Sequence, residues 1–145
     1  MVNNMIVSRY EGELPLGEGA SRRIPGGPLY AAEEVVAVLE SIGSSAVRSW
    51  TQKCSRDVQK LCLDAGDLYE LIELAINNGR FRGAEWCVQR PGGPWAACDA
   101  YVVTRRERMP NANVEMDIEY YIKFAIGRSG AVLLIVSCHI PEERR

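Results

Sequence analysis

Lysine is scarce in this chain. Of the 17 basic residues in its 145, only Lys53, Lys60 and Lys123 are lysines, and the other 14 are arginines. Histidine occurs once, at His139. The five cysteines, Cys54, Cys62, Cys87, Cys98 and Cys138, are odd in number and form no CxxC or CxxH spacing, which argues against a zinc site and a disulfide framework. No HExxH, GxSxG or nucleotide-binding glycine loop is present, so no metal or cofactor is expected. No apolar run approaches the roughly 20 residues that a membrane span needs. The opening residues lack the basic-then-apolar pattern of a secretory leader, which predicts a reducing cytoplasmic setting with free thiols. A net charge of −2 and a pI near 5.5 exclude a global basic field. Any attraction for nucleic acid must be local.

What is present is ordinary globular composition, with 47% hydrophobic and 25% charged residues. That suits one domain with its own core. Residues 1–28 are punctuated by Pro15, Pro25, Pro28 and five glycines, and read as an irregular N-terminal arm with a short extended piece at Met5–Val7. Residues 29–145 read as a single α+β domain. Helical spacing is expected over Tyr30–Ser41, Ser55–Leu63 with Ser55 as N-cap, and a segment opened by Asp67 and closed at Gly79. After Gly79 the period changes to two. Strands are expected at Ala84–Gln89, Ala97–Arg105, Ile118–Ile126 and Val132–His139, with a longer loop over Glu107–Glu115. Helices first and hairpin-linked strands after predict N-terminal helices packed on one face of a mainly antiparallel four-stranded sheet.

Alternation separates two faces of the third strand. Ile118, Tyr120, Ile122, Phe124 and Ile126 form a core face, and Glu119, Tyr121, Lys123 and Ala125 the other. Cys138 and His139, being adjacent, must point to opposite faces. Pairing residue 126 with 131 would set His139 against Ile118 on the core side, and a one-residue bulge would reverse that. Residues 80–109 hold six arginines against Glu85, Asp99 and Glu107, a local net of +3. The plain reading of that cluster is a solvated, ion-paired surface. The sharper one is a phosphate-binding patch, with Trp86 and Trp95 as stacking surfaces. A thiol–imidazole pair of Cys98 with His139 is a further option that only spatial proximity would support.

The order of short motifs resembles the MqsR family of toxins. Pro28, Leu29 and Tyr30 precede the first helix; Trp95, Asp99 and Tyr101 follow; then come Tyr120, Tyr121, Ile122 and Lys123, and last Leu134 to Ser137. The resemblance spans residues 23–140. It implies the compact α+β sheet of RelE-like endoribonucleases and metal-independent cleavage of mRNA by attack of a ribose 2′-hydroxyl on the adjacent phosphate. It places Tyr121, Lys123 and His139 in the catalytic set, with His139 where the family has a lysine. It also puts Arg80 or Arg82 in place of a cation after the third helix. The residues expected to bind phosphate or RNA are Arg80, Arg82, Arg105, Arg106 and Trp95. The partners implied are RNA and a neutralising antitoxin, with no direct DNA contact and no membrane. The alternative is a non-catalytic protein-binding module on the same fold, such as an immunity protein, an antitoxin-like chain or a regulator.

Overall fold

A computed structural model describes residues 5–15, 17, 19–109 and 113–141. The chain is α+β. In order it forms β1 (Arg23–Ile24), α1 (Ala32–Ile42), a short 3-10 turn, β2 (Val47–Ser49), α2 (Gln52–Lys60), α3 (Ala65–Asn78), β3 (Arg80–Val88), β4 (Trp95–Met109), β5 (Val114–Ile126) and β6 (Leu133–His139). The sheet has six strands in the order β1-β3-β4-β5-β6-β2. The expected antiparallel four-stranded sheet is its centre, β3 to β6. Two short strands extend it, and β2 runs parallel to β6, so the sheet is mixed. Strands of two and three residues carry too little alternation to be read from sequence.

The described part of the N-terminal arm is laced into the sheet. Ile6 and Ser8 are buried, and the extended piece expected near Met5–Val7 exchanges backbone hydrogen bonds with Trp95. Arg9 N–H continues the contact to the Ile126 carbonyl. The loop expected over Glu107–Glu115 is mostly strand: β4 runs to Met109 and β5 starts at Val114, while residues 110–112 lie outside the described residues. No helix among the described residues is long and apolar enough to cross a membrane.

Helix starts follow side-chain chemistry. The second helix opens three residues before the expected cap: the Thr51 hydroxyl, rather than Ser55, accepts from Cys54 N–H at 3.0 Å. The same hydroxyl donates to the Val136 carbonyl, tying α2 to β6. In α3, Asp64 and Asp67 form a reciprocal capping box, and the stripe of Leu68, Leu71, Ile72 and Ala75 is buried as the spacing implies. Each cap of this kind contributes about 1 kcal/mol.

One face of the sheet is set by the odd-numbered residues of β4. There Tyr101 stacks on Phe124 with ring centroids 5.9 Å apart, and Ile122, Ile135 and Cys138 are fully buried. Asp99 is also fully buried on that face. Its carboxylate accepts the backbone N–H groups of Leu29 and Tyr30 at 2.9–3.1 Å and so fixes the entry to α1. Burial pushes the Asp99 pKa up, against those same hydrogen bonds. Asp99 and Tyr101, two of the residues that carry the family resemblance, are therefore core and clamp residues.

Two bulges decide what the other face presents. In β3, Phe81 pairs with Tyr101 and Gly83 with Ala100, leaving Arg82 as the extra residue beside Gly83 at φ +120°. In β6, Ile135 pairs with Phe124 and Ser137 with Lys123, leaving Val136 as the extra residue. The hairpin pairing begins at Ile126 with Leu133, not 126 with 131. Without the second bulge His139 would point to the core. With it, His139 lies directly opposite Tyr121 on the open face.

Candidate functional site

The open face carries its chemistry where the sheet narrows. β3 begins at Arg80, opposite Val102, and β6 ends at His139, opposite Tyr121. Beyond that line β4 and β5 pair only with each other, as a two-stranded ribbon out to Met109 and Val114. At the step lies a shallow pocket of about 340 Å³ lined by Arg80, Arg82, Val102, Glu119, Tyr121, His139 and Pro141. The ends of β3 and β6 thus flank β4 and β5 at the pocket. Of the residues expected to act, Arg80, Arg82, Tyr121 and His139 meet in this pocket.

Their surroundings differ in ways that bear on chemistry. Arg80 and Arg82 are exposed, and among the described residues neither has an ion-pair partner. The Tyr121 and His139 rings stack at 5.2 Å between centroids, at 27°. His139 Nδ1 lies 2.9 Å from the Ile140 carbonyl oxygen; if that nitrogen carries the proton, Nε2 is left for a ligand. Burial raises the Tyr121 phenol above its ordinary range, with the Lys123 ammonium pulling the other way. Tyr121 is therefore neutral near pH 7, a hydrogen-bond donor and stacking surface rather than a base.

Lys123 points to the same face but stands back from the pocket. Its ammonium is bonded to the Glu85 carboxylate and sits 5.9 Å from the centre of the Tyr121 ring. Burial disfavours its charge, but Cys87, the hydrogen bond to Glu85 and Tyr121 together hold it above the usual lysine range. It is a fixed positive charge behind Tyr121. Next to it, the adjoining Cys98 side chain lowers the Cys87 thiol, against burial and with help from Lys123. Burial, then Cys87, pushes the Cys98 thiol well up. Cys98 is fully buried and donates to the Ala96 carbonyl, which removes it as a nucleophile for His139. All five cysteines are free.

The remaining candidates lie elsewhere. Arg105, beside α3, is 12% exposed and ion-paired to Asp67, Glu70 and Glu107, with the Tyr120 ring 5.8 Å away. It pins the ribbon to α3. Arg106 is exposed on the ribbon and paired to Glu115 and Asp117. Trp95 packs against the N-terminal arm, hydrogen-bonded to it through its backbone and covered by the Arg22 guanidinium 5.0 Å from its ring. None of the three lines the pocket. Trp86 is buried in a small cluster with Ile6 and Ala97.

Glu119 and Glu85 are the residues that the sequence-based selection omits. Glu119 shares the Tyr121 face, so alternation carried the signal for it; Glu85 lies inside the expected strand Ala84–Gln89, but its approach to Lys123 follows only from the register of β3, β4 and β5. A second, larger cleft of about 670 Å³ follows along β6, lined by Trp50, Lys53, Gln89, Arg90, Ser137 and their neighbours. Gln89 closes one side by donating to the Trp50 carbonyl at 2.7 Å. Among the described residues, no cluster of three or more His, Cys, Asp or Glu side chains is placed to hold a metal ion.

No family model matches the chain, and no curated protein or solved structure matches it either.

Proposed function

We propose that this protein is an endoribonuclease of the metal-independent kind, cleaving single-stranded RNA by attack of a 2′-hydroxyl on the neighbouring phosphate. The observation that carries the reading is the convergence of Arg80, Arg82, Tyr121 and His139 on one open pocket. The reaction needs cations for a phosphate that gains negative charge, and a group that moves protons near neutrality. The two unpaired arginines supply the first, as forks that match phosphate oxygens. His139 supplies the second, held in place by the Tyr121 ring. Lys123 adds positive potential from behind. The pocket is shallow and open, which suits a polymer chain passing over it better than an enclosed small molecule.

The test is incubation of the pure protein with a single-stranded RNA in the presence of a chelator. Fragments ending in a 2′,3′-cyclic phosphate are expected, and none from an RNA carrying 2′-deoxyribose at the cleavage site. Growth arrest on expression in a bacterial host, relieved by His139→Ala, is the cellular counterpart. Absence of cleavage, or cleavage indifferent to His139→Ala, overturns the reading.

A second reading, a protein-binding module, is favoured by one observation. The β4–β5 ribbon projects beyond its neighbours and leaves Val114 and Met116 each 48% exposed. A stable partner that copurifies and is lost in Met116→Glu supports this second reading. A neutralising antitoxin would satisfy both.

A further inference from the structure

The ribbon carries a row of acids, Glu115, Asp117 and Glu119, on the open face. Each faces a β4 residue: Arg108 opposite Glu115, Arg106 opposite Asp117, and Thr104 opposite Glu119. The first two carboxylates are bonded to Arg106. The alternation of arginine against acid stops at Thr104, and Glu119 has no hydrogen-bond or ion-pair partner among the described residues. It stands at the pocket end of the row and lines the pocket itself. In register it is a diagonal neighbour of His139, since His139 pairs with Tyr121. Such diagonals are on the order of 7–8 Å apart. Both residues line the one pocket together with Arg80 and Arg82, where a phosphate would meet all four side chains.

The other polar groups in the pocket, and Lys123 behind it, do not meet the need for a base. The arginines stay protonated, Tyr121 is a neutral phenol, and Lys123 is held as an ammonium by Glu85. Only Glu119 and His139 remain.

We propose that Glu119 is the general base of this site and His139 its general acid, acting on a phosphodiester of single-stranded RNA. The assignment rests on the ribonuclease reading above. The Glu119 carboxylate takes the proton of the 2′-hydroxyl as the oxygen forms its bond to phosphorus. The bond from phosphorus to the 5′-oxygen breaks, and that oxygen takes a proton from the His139 imidazolium. The products are a 2′,3′-cyclic phosphate and a 5′-hydroxyl. Solvent carries the proton from Glu119 back to His139, so the cycle closes without a co-reactant. The charged groups that face the pair are Arg80 and Arg82 from β3 and Lys123 from β5, with Asp57 of α2 acting on His139 at longer range.

The closing experiment measures single-turnover cleavage of a single-stranded RNA oligonucleotide across the acid and neutral range, for the natural protein, Glu119→Gln and Glu119→Asp. Binding of a non-cleavable 2′-O-methyl RNA is followed in parallel. Glu119→Gln is expected to lower the rate by roughly 10²-fold or more and to abolish the acidic limb of the pH profile. Binding should be unchanged or tighter, because a negative charge beside the phosphate has been removed. Glu119→Asp should restore part of the rate and the acidic limb. A Glu119→Gln rate within about threefold of the natural protein, or an unchanged acidic limb, overturns the assignment while leaving the ribonuclease reading intact. No cleavage by the natural protein overturns both.

Discussion

Arg105 and Arg106 sit side by side in β4 and are both ion-paired; Arg80 and Arg82 flank Phe81 in β3 and have no ion-pair partner among the described residues. All four belong to the segment whose charge count predicts a phosphate-binding patch. Their surroundings divide them. Arg105 meets three carboxylates and an aromatic ring beside α3, and Arg106 meets two carboxylates across the ribbon. Arg80 pairs with Val102, Arg82 is the extra residue of the bulge, and both line the open pocket. A local excess of arginine is therefore a poor guide to anion binding. What counts is whether a neighbouring element supplies an acid: α3 and Glu107 do so for Arg105 and β5 for Arg106, whereas β4 sets only Val102 opposite Arg80.

The division can be broken by substitution, beginning with the largest effect. His139→Ala is expected to reduce RNA cleavage by about 10²–10⁴-fold and Arg82→Ala by about 10²–10³-fold, each with little change in thermal stability. Rate and melting curve of each variant are the measurement; a melting shift as large as that of a core substitution would assign these residues to the fold instead.

Arg105→Ala should show the reverse. Removing it leaves three carboxylates around an apolar ring and should cost about 2 kcal/mol of stability in chemical denaturation, with cleavage per folded molecule unchanged. The same variant should alter the acid limb of stability. Burial favours the neutral form of Asp67, but the Asp64 backbone and Arg105 outweigh it, so the folded-state pKa lies below the ordinary 3.8. A lowered carboxylate pKa gives stability that is complete above the unfolded value and is lost as pH falls through the folded one. Denaturation curves from neutral pH to below 3.8 should fall less steeply in Arg105→Ala than in the natural protein.

Gly83→Ala probes the bulge that delivers Arg82. The φ of +120° is one that side chains disfavour, while the nearest atom to an added Cβ is 3.8 Å away, so strain rather than crowding is the cost. A loss of about 1–2 kcal/mol is expected, together with weaker RNA binding as Arg82 shifts. Equal stability with equal binding would show that the bulge does not position the arginine. The smallest effect belongs to Arg106→Ala. Its pairs are solvent-exposed, and the change should stay under about 0.5 kcal/mol with cleavage unaltered.

Much of the fold was readable from periodicity. The stripe of α3, the stop at Gly79, the two faces of β5 and the opposition of Cys138 to His139 all follow from spacing alone. The bulges did not. Val136 sits in a run of branched apolar residues with nothing to distinguish the extra one, and the face of His139 depends on it. Gly83 did carry a signal, since a glycine inside a strand often marks a bulge, but the strand was expected to start one residue later. Glu119 lay in plain view on the Tyr121 face. Its freedom could not be read, because that depends on Thr104 being its opposite residue across a hairpin whose register the loop estimate obscured.

The central claim is that Arg82 serves a phosphate and Arg106 does not. The most direct measurement is the cleavage rate of a single-stranded RNA by Arg82→Ala and Arg106→Ala, side by side in chelator. The account predicts a loss of at least about 10²-fold for the first and a rate indistinguishable from the natural protein for the second. Equal losses in both, or none in either, would contradict it.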